Sequence, residues 1–477
     1  MRLARYLVVV VAVAVAVGIS CGGRGGIPDT SRRTPTLPTI TRLPEFPKIP
    51  SDAASWDKAH VMDLRRRIFD HKAGTYPESS SRARRTGRHT STGLFSSFEP
   101  TEEQVKRIAP HYDNVLMNAT RADVAWLFKK HNPAVTVFMY FAPGLTPGWS
   151  NAVDAGAVDE ENTAWILARH PDWILKDAKG RLVQNASNAP ISGAHVYWPD
   201  PGNREWQAFF AQKLNAALAR GGSPWDGVLL DEFYGQAESF VVFGRANRQA
   251  KYPDTASFQR AQIDFLENVS AKVLVPIVAN VEPAATALTP EFFLKVTEVA
   301  GGAENEVFPH ESSVVADSSN VGADQLKSAI ETINRAPRGK HIRLNAKPGG
   351  LAGDVDRTIY AYCVYLLVAG TDRQVHWTMK EGDSDFPHYW YREFDLDLGR
   401  HLGEFDGSGR VWKREFERAT VVVNPHRSKE AFSFEGARVD ILGAAVKSPV
   451  SLSPYAGMLL FRDAGSLEKA QGKGGRE

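Results

Sequence analysis

Between residues 93 and 404, short apolar, β-branched runs alternate with longer stretches whose apolar positions recur every three or four residues. The strand-like runs are 94–98, 114–119, 135–141, 227–233, 275–282, 301–308, 341–348 and 373–379. Helical periodicity covers 121–130, 204–220, 257–274, 290–299, 323–335 and 354–368; in 204–220, Phe210, Leu214 and Leu218 fall on one face. Thr101 followed by Gln104 reads as a capping box that opens a further helix. A repeated strand–helix order implies parallel strands joined by crossovers. Repeats of this number in about 300 residues predict an α/β chain with a (β/α)8 TIM barrel over 93–404. An open doubly wound sheet is the alternative, but residues 95–104 (FSSFEPTEEQ) do not form the glycine-rich phosphate loop it would want after its first strand.

Beyond residue 405 the helical period is lost. Residues 411–416, 419–424, 431–434, 439–442 and 458–461 read as short antiparallel strands with turns such as Asn424-Pro425. They predict a small C-terminal antiparallel β-domain over 405–465, followed by a disordered tail, 466–477. The third barrel strand is followed by a long insertion, 142–202, carrying Trp149, Trp165, Trp173 and Trp198. Loops after barrel strands lie on the face where active sites are built.

The N-terminus has its own pattern. A basic start precedes the apolar run from Leu7 to Val17, which is short for a membrane span and suits a secretory signal. The following Gly18-Ile19-Ser20-Cys21 resembles a lipoprotein signal, with Gly18 where leucine is usual and Cys21 as the lipidated residue. Residues 1–21 are therefore expected to be a lipoprotein-type signal peptide, and the membrane a partner through the lipid. The expected location is the cell envelope, at the outer membrane or its periplasmic or extracellular side. If Cys21 is not modified, the chain is expected to be secreted. Residues 22–92, rich in Pro, Gly and Ser, read as a tether and leader in which 57–71 has the pattern of a short helix.

Composition changes this picture little. The chain is 43% hydrophobic and 23% charged, with a formal net charge of +2, so no field draws it to nucleic acid. The basic run 82–88 reads as solvated linker. Cys363 is the only cysteine besides Cys21 and lies in an apolar stretch, which predicts a buried small hydrophobe and no disulfide framework. No metal-binding or cofactor motif stands out, and a monomer is expected.

The chemistry lies at the strand ends. Residues 225–235, WDGVLLDEFYG, run an apolar strand into Asp231 and Glu232; the sixth strand ends with Glu304 and Glu306, which share one parity. Two carboxylates across a concave site are what glycoside hydrolysis uses, one as proton donor and the other as nucleophile or base. Strands four and six are separated by one strand, which allows a carboxyl gap of about 5–9 Å and leaves retention and inversion both open. Asp231 is the first choice as nucleophile or base and Glu306 as acid, with Glu232 and Glu304 in reserve. The plain alternative is that these acids pair with loop amides or a nearby Lys or Arg. Tyr140, Asn280, Lys347, His376 and Trp377, near other strand ends, are candidate sugar-binding residues, each with a structural alternative: Trp377 as core, Lys347 in a barrel ion pair, His376 as a satisfied buried imidazole.

Residues 170–185 (HPDWILKDAKGRLVQN), 196–210 (VYWPDPGNREWQAFF), 224–233 (PWDGVLLDEF), 277–280 (IVAN) and 304–308 (ENEVF) resemble glycoside-hydrolase-like barrels of bacteria, nearest to the group called hypothetical glycosyl hydrolase family fifteen. More distantly they resemble α-galactosidase and endo-α-polygalactosaminidase barrels. The resemblance spans roughly 93–465. It implies a nucleophile ending strand four and an acid ending strand six, which fall on Asp231 and Glu306. The expected function is an exported, lipid-anchored glycosidase acting on a polysaccharide or oligosaccharide, without cofactor. A glycan-binding scaffold on the same barrel is the alternative, and a metal-dependent hydrolase finds no ligand spacing.

Overall fold

Alternating burial of single residues shows how the sheet is built. Val115, Met117, Val137, Met139, Val228, Leu230, Ile277 and Ala279 join the helices in one large apolar cluster; the intervening Leu116, Phe138, Leu229 and Val278 form a separate inner cluster with Tyr140. Strands buried on both faces in this way are the mark of a parallel sheet covered by helices. The structure is a computed structural model that describes residues 66–69, 89–94, 100–144, 162–184, 196–233, 235, 249–281, 290–306, 308–309, 320–346, 355–370, 374–379 and 388–472.

The elements begin with β1 (Arg66–Phe69), β2 (His89–Leu94), α1 (Glu102–Ile108), β3 (Asn114–Asn118), α2 (Ala122–His131) and β4 (Thr136–Phe141). The insertion contributes α3 (Thr163–Arg169) before α4 (Arg204–Ala219). Then follow β5 (Gly227–Leu230), α5 (Thr255–Ser270), β6 (Ile277–Asn280), α6 (Pro290–Val299), β7 (Gly302–Asn305), α7 (Ala323–Arg335), β8 (His341–Ala346), α8 (Val355–Leu366) and β9 (Gln374–Met379). Strands β3 to β9 pair in parallel in sequence order and curl into a seven-stranded sheet. At its two edges β2 hydrogen-bonds to both β3 and β9. The fold is thus α/β around a curled parallel core, followed by a small antiparallel β-region.

Several expectations shift. The first parallel strand is His89–Leu94, with Thr and Ser alternating along it, rather than the more apolar 94–98; residues 95–99 lie outside the described residues. Within 57–71 the described residues, Arg66–Phe69, form β1 rather than helix: they pair antiparallel with β10 (His388–Tyr391), so a partner strand overrides the helical pattern there. The expected disordered tail begins as a helix, α9 (Ala464–Ala470), because Asp463 caps its N-terminus and Leu467 and Ala470 are buried.

The C-terminal region holds β11 (Trp412–Glu415), β12 (Ala419–Asn424), β13 (Glu430–Phe432), β14 (Arg438–Val439), β15 (Ala445–Val446), β16 (Val450–Leu452) and β17 (Ala456–Phe461). Five of these form one sheet in the order β11-β12-β17-β14-β15, and β13 pairs with β16. At the expected turn, the buried Asn424 amide donates to the carbonyls of Ser428 (2.8 Å), Leu452 (3.2 Å) and Ser453 (2.8 Å). Helix α8 packs on this sheet through buried Cys363, at Gly457, where a Cβ would lie 2.5 Å from that of Cys363. Buried Arg414 of β11 donates to the Leu366 carbonyl that ends α8 (3.2 Å), to the Ala369 carbonyl and to Gly403 O (3.0 Å). The cation thus satisfies orphan carbonyls at the negative end of the helix.

Arg414→Ala is expected to lower the unfolding free energy by about 2–3 kcal/mol, because buried carbonyls lose a charged donor. Arg414→Lys is expected to recover part of it, since one ammonium lacks the fork. Denaturant melts check this, and an alanine variant as stable as the wild type contradicts it.

Candidate functional site

Four consecutive strands deliver one polar group each. Tyr140 is near the end of β4, Asp231 directly follows β5, Asn280 ends β6, and Glu306 directly follows β7. Strand pleating continues the inner row: Leu229 belongs to the inner cluster, and Asp231 is the next residue of that parity.

The four groups meet. Asn280 Nδ2 donates to Asp231 Oδ1 at 2.7 Å and to Glu306 Oε2 at 2.8 Å. Two oxygens bound to one nitrogen at these distances lie no more than about 5.5 Å apart. Tyr140 donates its hydroxyl proton to the other Asp231 oxygen, and the backbone N–H of Glu232 donates to Asp231 Oδ1 at 2.8 Å. Asp231 therefore collects three donors, all of which favour its ionised form.

Electrostatics follow from this crowding. Burial pushes the Asp231 carboxyl above its ordinary range and the charge of Glu306 adds to that, while the Tyr140, Asn280 and Glu232 N–H bonds pull it back. Burial also pushes the Tyr140 hydroxyl well up, reinforced by the charges of Asp231, Glu232 and Glu306. Glu232 is pushed up to about 8, first by burial, then by Asp231 and Glu306.

Glu232 enters the site by an irregular route. Strict alternation would turn it out toward the helices, with Val228 and Leu230. Its φ of 53° is left-handed, a region that costs a residue with a side chain roughly 1–2 kcal/mol. A Cβ placed on Gly144 would lie 3.0 Å from Glu232 Oε2 and 2.9 Å from Val196 Cγ1, so this glycine leaves room for the carboxyl.

Other sequence candidates lie elsewhere. Glu304 points one step deeper, with Oε2 3.7 Å from Arg343 Nε, and Arg343 donates to Asn114 at the start of β3. This is the plain Arg-paired role: the shared parity of Glu304 and Glu306 placed both inward but on different levels. His376 is buried, its Nε2 3.1 Å from His341 Nδ1. Trp377, on the opposite face of β9, is a core residue packed against Tyr362, Tyr365 and Phe394. Lys347 and Cys21 lie outside the described residues.

Asn280 was expected to bind sugar hydroxyls, yet both its amide hydrogens serve carboxylates. The left-handed backbone at Glu232 gave no signal in the sequence. Among the described residues, no group of three or more His, Cys, Asp or Glu is arranged to hold a metal ion.

The described indoles of the insertion pack among other apolar side chains. Trp173 is buried with Trp206 and Phe209, and Trp165 stacks on Phe209; Trp198 sits in a small core with Leu175, Val183, Val196 and Phe258. Trp149 lies outside the described residues. In the 170–185 stretch, Asp177 folds the turn by accepting from the backbone N–H groups of Lys179 and Arg181, both at 2.9 Å. Asp200 and Asn203 of the DPGN stretch are structural too. Asp200 accepts from Tyr252 OH (2.6 Å), and Asn203 caps α4 through the N–H groups of Glu205 and Trp206.

The raised Glu232 carboxyl ties stability to pH. Unfolded, the group titrates near its ordinary 4.5; folded, it keeps its proton up to about 8. Its contribution to stability is full below the lower value and is lost as pH rises through the upper one. The melting temperature is expected to fall across that interval, and Glu232→Gln to flatten part of the fall. Coincident pH–melting curves for the two proteins would contradict this placement.

Comparison with known proteins adds the family. No curated protein matches the chain. Among solved structures, a variant of the glycoside hydrolase domain of PelA from Pseudomonas aeruginosa is 16% identical, with 61% of this chain and 95% of that one covered at a TM-score of 0.38. Trehalose-6-phosphate hydrolase of Bacillus licheniformis is 9% identical, with 79% and 99% covered at a TM-score of 0.44. A mutant isomaltulose synthase from Erwinia rhapontici NX5 with D-glucose is 8% identical, with 79% and 99% covered at a TM-score of 0.45. Residues 129–420, more than half the chain and the whole of the Asp231–Asn280–Glu306 constellation, match one family: this chain belongs to hypothetical glycosyl hydrolase family 15.

Proposed function

We propose that the protein is a retaining glycoside hydrolase, with Asp231 as nucleophile and Glu306 as acid and base. The observation that carries this is the single Asn280 amide donating to both carboxyls at 2.7 and 2.8 Å. A gap bounded at about 5.5 Å suits direct attack by one carboxylate and leaves little room for the water that inversion needs between them. The parallel ring completed by β2 is read here as a (β/α)8 barrel, which presents all four polar groups on its C-terminal face.

The roles follow from the donors. Asp231, with three hydrogen bonds, is the group best held as an anion. Two carboxyls this close share one proton more readily than they ionise together, so the proton falls to Glu306. In the first step an Asp231 oxygen bonds to the anomeric carbon. The bond to the leaving oxygen breaks, and that oxygen takes the Glu306 proton. In the second step the Glu306 carboxylate takes a proton from water. The water oxygen bonds to the anomeric carbon, and the ester to Asp231 breaks. The anomeric configuration is retained, and both carboxyls return to their starting states.

An exported, lipid-anchored location, with Cys21 as the modified residue, belongs to the same proposal and rests on residues 1–21. Incorporation of labelled fatty acid that Cys21→Ser abolishes is the expected sign.

The test is hydrolysis of a glycan panel, with the anomer of the first product read by proton NMR. Retention is expected. Asp231→Asn and Glu306→Gln are each expected to lower kcat/KM by about 10²–10⁴-fold, with unchanged melting checking the fold. An aryl leaving group that needs no proton is expected to restore the first step in Glu306→Gln but not in Asp231→Asn. Saturable glycan binding without product would contradict the proposal and favour a binding scaffold.

A further inference from the structure

Glu232 is the third carboxyl in the pocket, and hydrolysis as proposed above does not use it. Three observations set it apart. Its backbone is left-handed at φ 53°, which turns inward a side chain that the pleat would send outward. Its Oε2 lies 3.0 Å from where a Cβ on Gly144 would stand, a point that Val196 Cγ1 (2.9 Å) and Trp198 Cη2 (3.9 Å) also approach. Among the described residues, no side chain donates a hydrogen bond to its carboxyl, whereas Asp231 and Glu306 both accept from Asn280.

The topology fixes which flank it occupies. Hydrogen-bonded order runs β4, β5, β6, β7, so Asn280 and Glu306 lie on one side of Asp231, and Tyr140 and Gly144 on the other. Glu232 Oε2 lies on the Gly144 side of Asp231, the side that faces away from β6 and β7 in the strand order.

Among the described residues, the titratable groups facing it are Asp231, Glu306 and the Tyr140 hydroxyl, none of them cationic. Burial and two neighbouring carboxyls oppose a third negative charge, and among the described residues no side-chain donor compensates it. Left-handed backbone at a bulky residue persists where the surroundings hold it, commonly at ligand sites.

We propose that Glu232 is a substrate-binding residue that stands as a neutral carboxylic acid and donates a hydrogen bond to an uncharged sugar oxygen, a hydroxyl or an acetamido carbonyl. This proposal rests on the glycosidase reading. Its shift up to about 8 agrees with a proton held through neutral pH. A uronate is disfavoured at this position, because its charge would sit beside Asp231. The carboxylic acid therefore selects neutral sugars on the flank opposite Glu306.

The experiment pairs infrared difference spectra with kinetics on the full chain and its variants. Wild type minus Glu232→Gln is expected to show a protonated-carboxyl band at neutral pH that fades as pH rises through about 8. Glu232→Ala is expected to lower kcat/KM about tenfold, mostly through KM, as loss of one good hydrogen bond does. Glu232→Gln, also a neutral donor, is expected to regain most of that loss and to remove the limb near 8 from the pH profile. An ionised carboxylate at neutral pH overturns the proposal. So does a Glu232→Gln variant as impaired as Glu306→Gln, which would mean proton transfer. If the wild type cleaves no glycan, the glycosidase reading fails, and the infrared band alone still decides whether Glu232 is neutral.

Discussion

One amide group organises this site. Asn280 places its two hydrogens on two carboxyls from different strands, and by doing so holds like-charged groups closer than they would sit unaided. In the proposed mechanism, repulsion across that gap makes a shared proton favourable and divides the pair into an anion and an acid. The Tyr140 hydroxyl, donating to Asp231, favours the anion there. The rest of the structure can be understood as the apparatus that keeps four short strand ends in this register.

The sheet supplies the register. Val278 and Leu229 fix the inner face one step below Asn280 and Asp231, and deeper still the buried Arg343 is shared by Glu304 and Asn114. A buried ion pair is a poor source of net stability, but it costs much to break, so it commits the strands to one alignment. Beside the curled sheet the insertion forms a small core with Trp198, Val196 and Phe258, and Val196 and Trp198 of that core approach the point where a Cβ on Gly144 would stand, near Glu232 Oε2. The C-terminal sheet clamps α8 through Arg414 and the tight Gly457 contact, which steadies the helix that covers β8 and β9.

Much of this was legible because two periods are written plainly. The strand runs at 114–119, 135–141, 227–233, 275–282, 301–308, 341–348 and 373–379 each contain an observed strand, since residues buried on both faces leave continuous apolar runs. Asp231, Asn280 and Glu306 were all singled out because they end such runs. What stayed hidden depends on partners distant in sequence. β1 exists because β10 pairs with it, and α9 because Leu467 and Ala470 find a core. The division between Glu304 and Glu306 is equally hidden: parity says both face inward, and only Arg343 on the next strand decides which is neutralised. Trp377 was a candidate for sugar binding, yet its apolar area, like that of Trp173 and Trp198 in the insertion, is buried in packing. The direction of Glu232 was hidden for a different reason: a left-handed φ at glutamate breaks the alternation from which direction is read.

The central claim is that Asp231 is close enough to a proton-donating partner to act as a nucleophile in its own right. Trapping tests it most directly. A slow fluorinated glycosyl donor, followed by peptide mapping with mass spectrometry, should leave one sugar covalently attached, and the account places it on Asp231. A sugar ester on Glu232 or Glu306, or turnover of the donor with inverted configuration and no adduct, would contradict it.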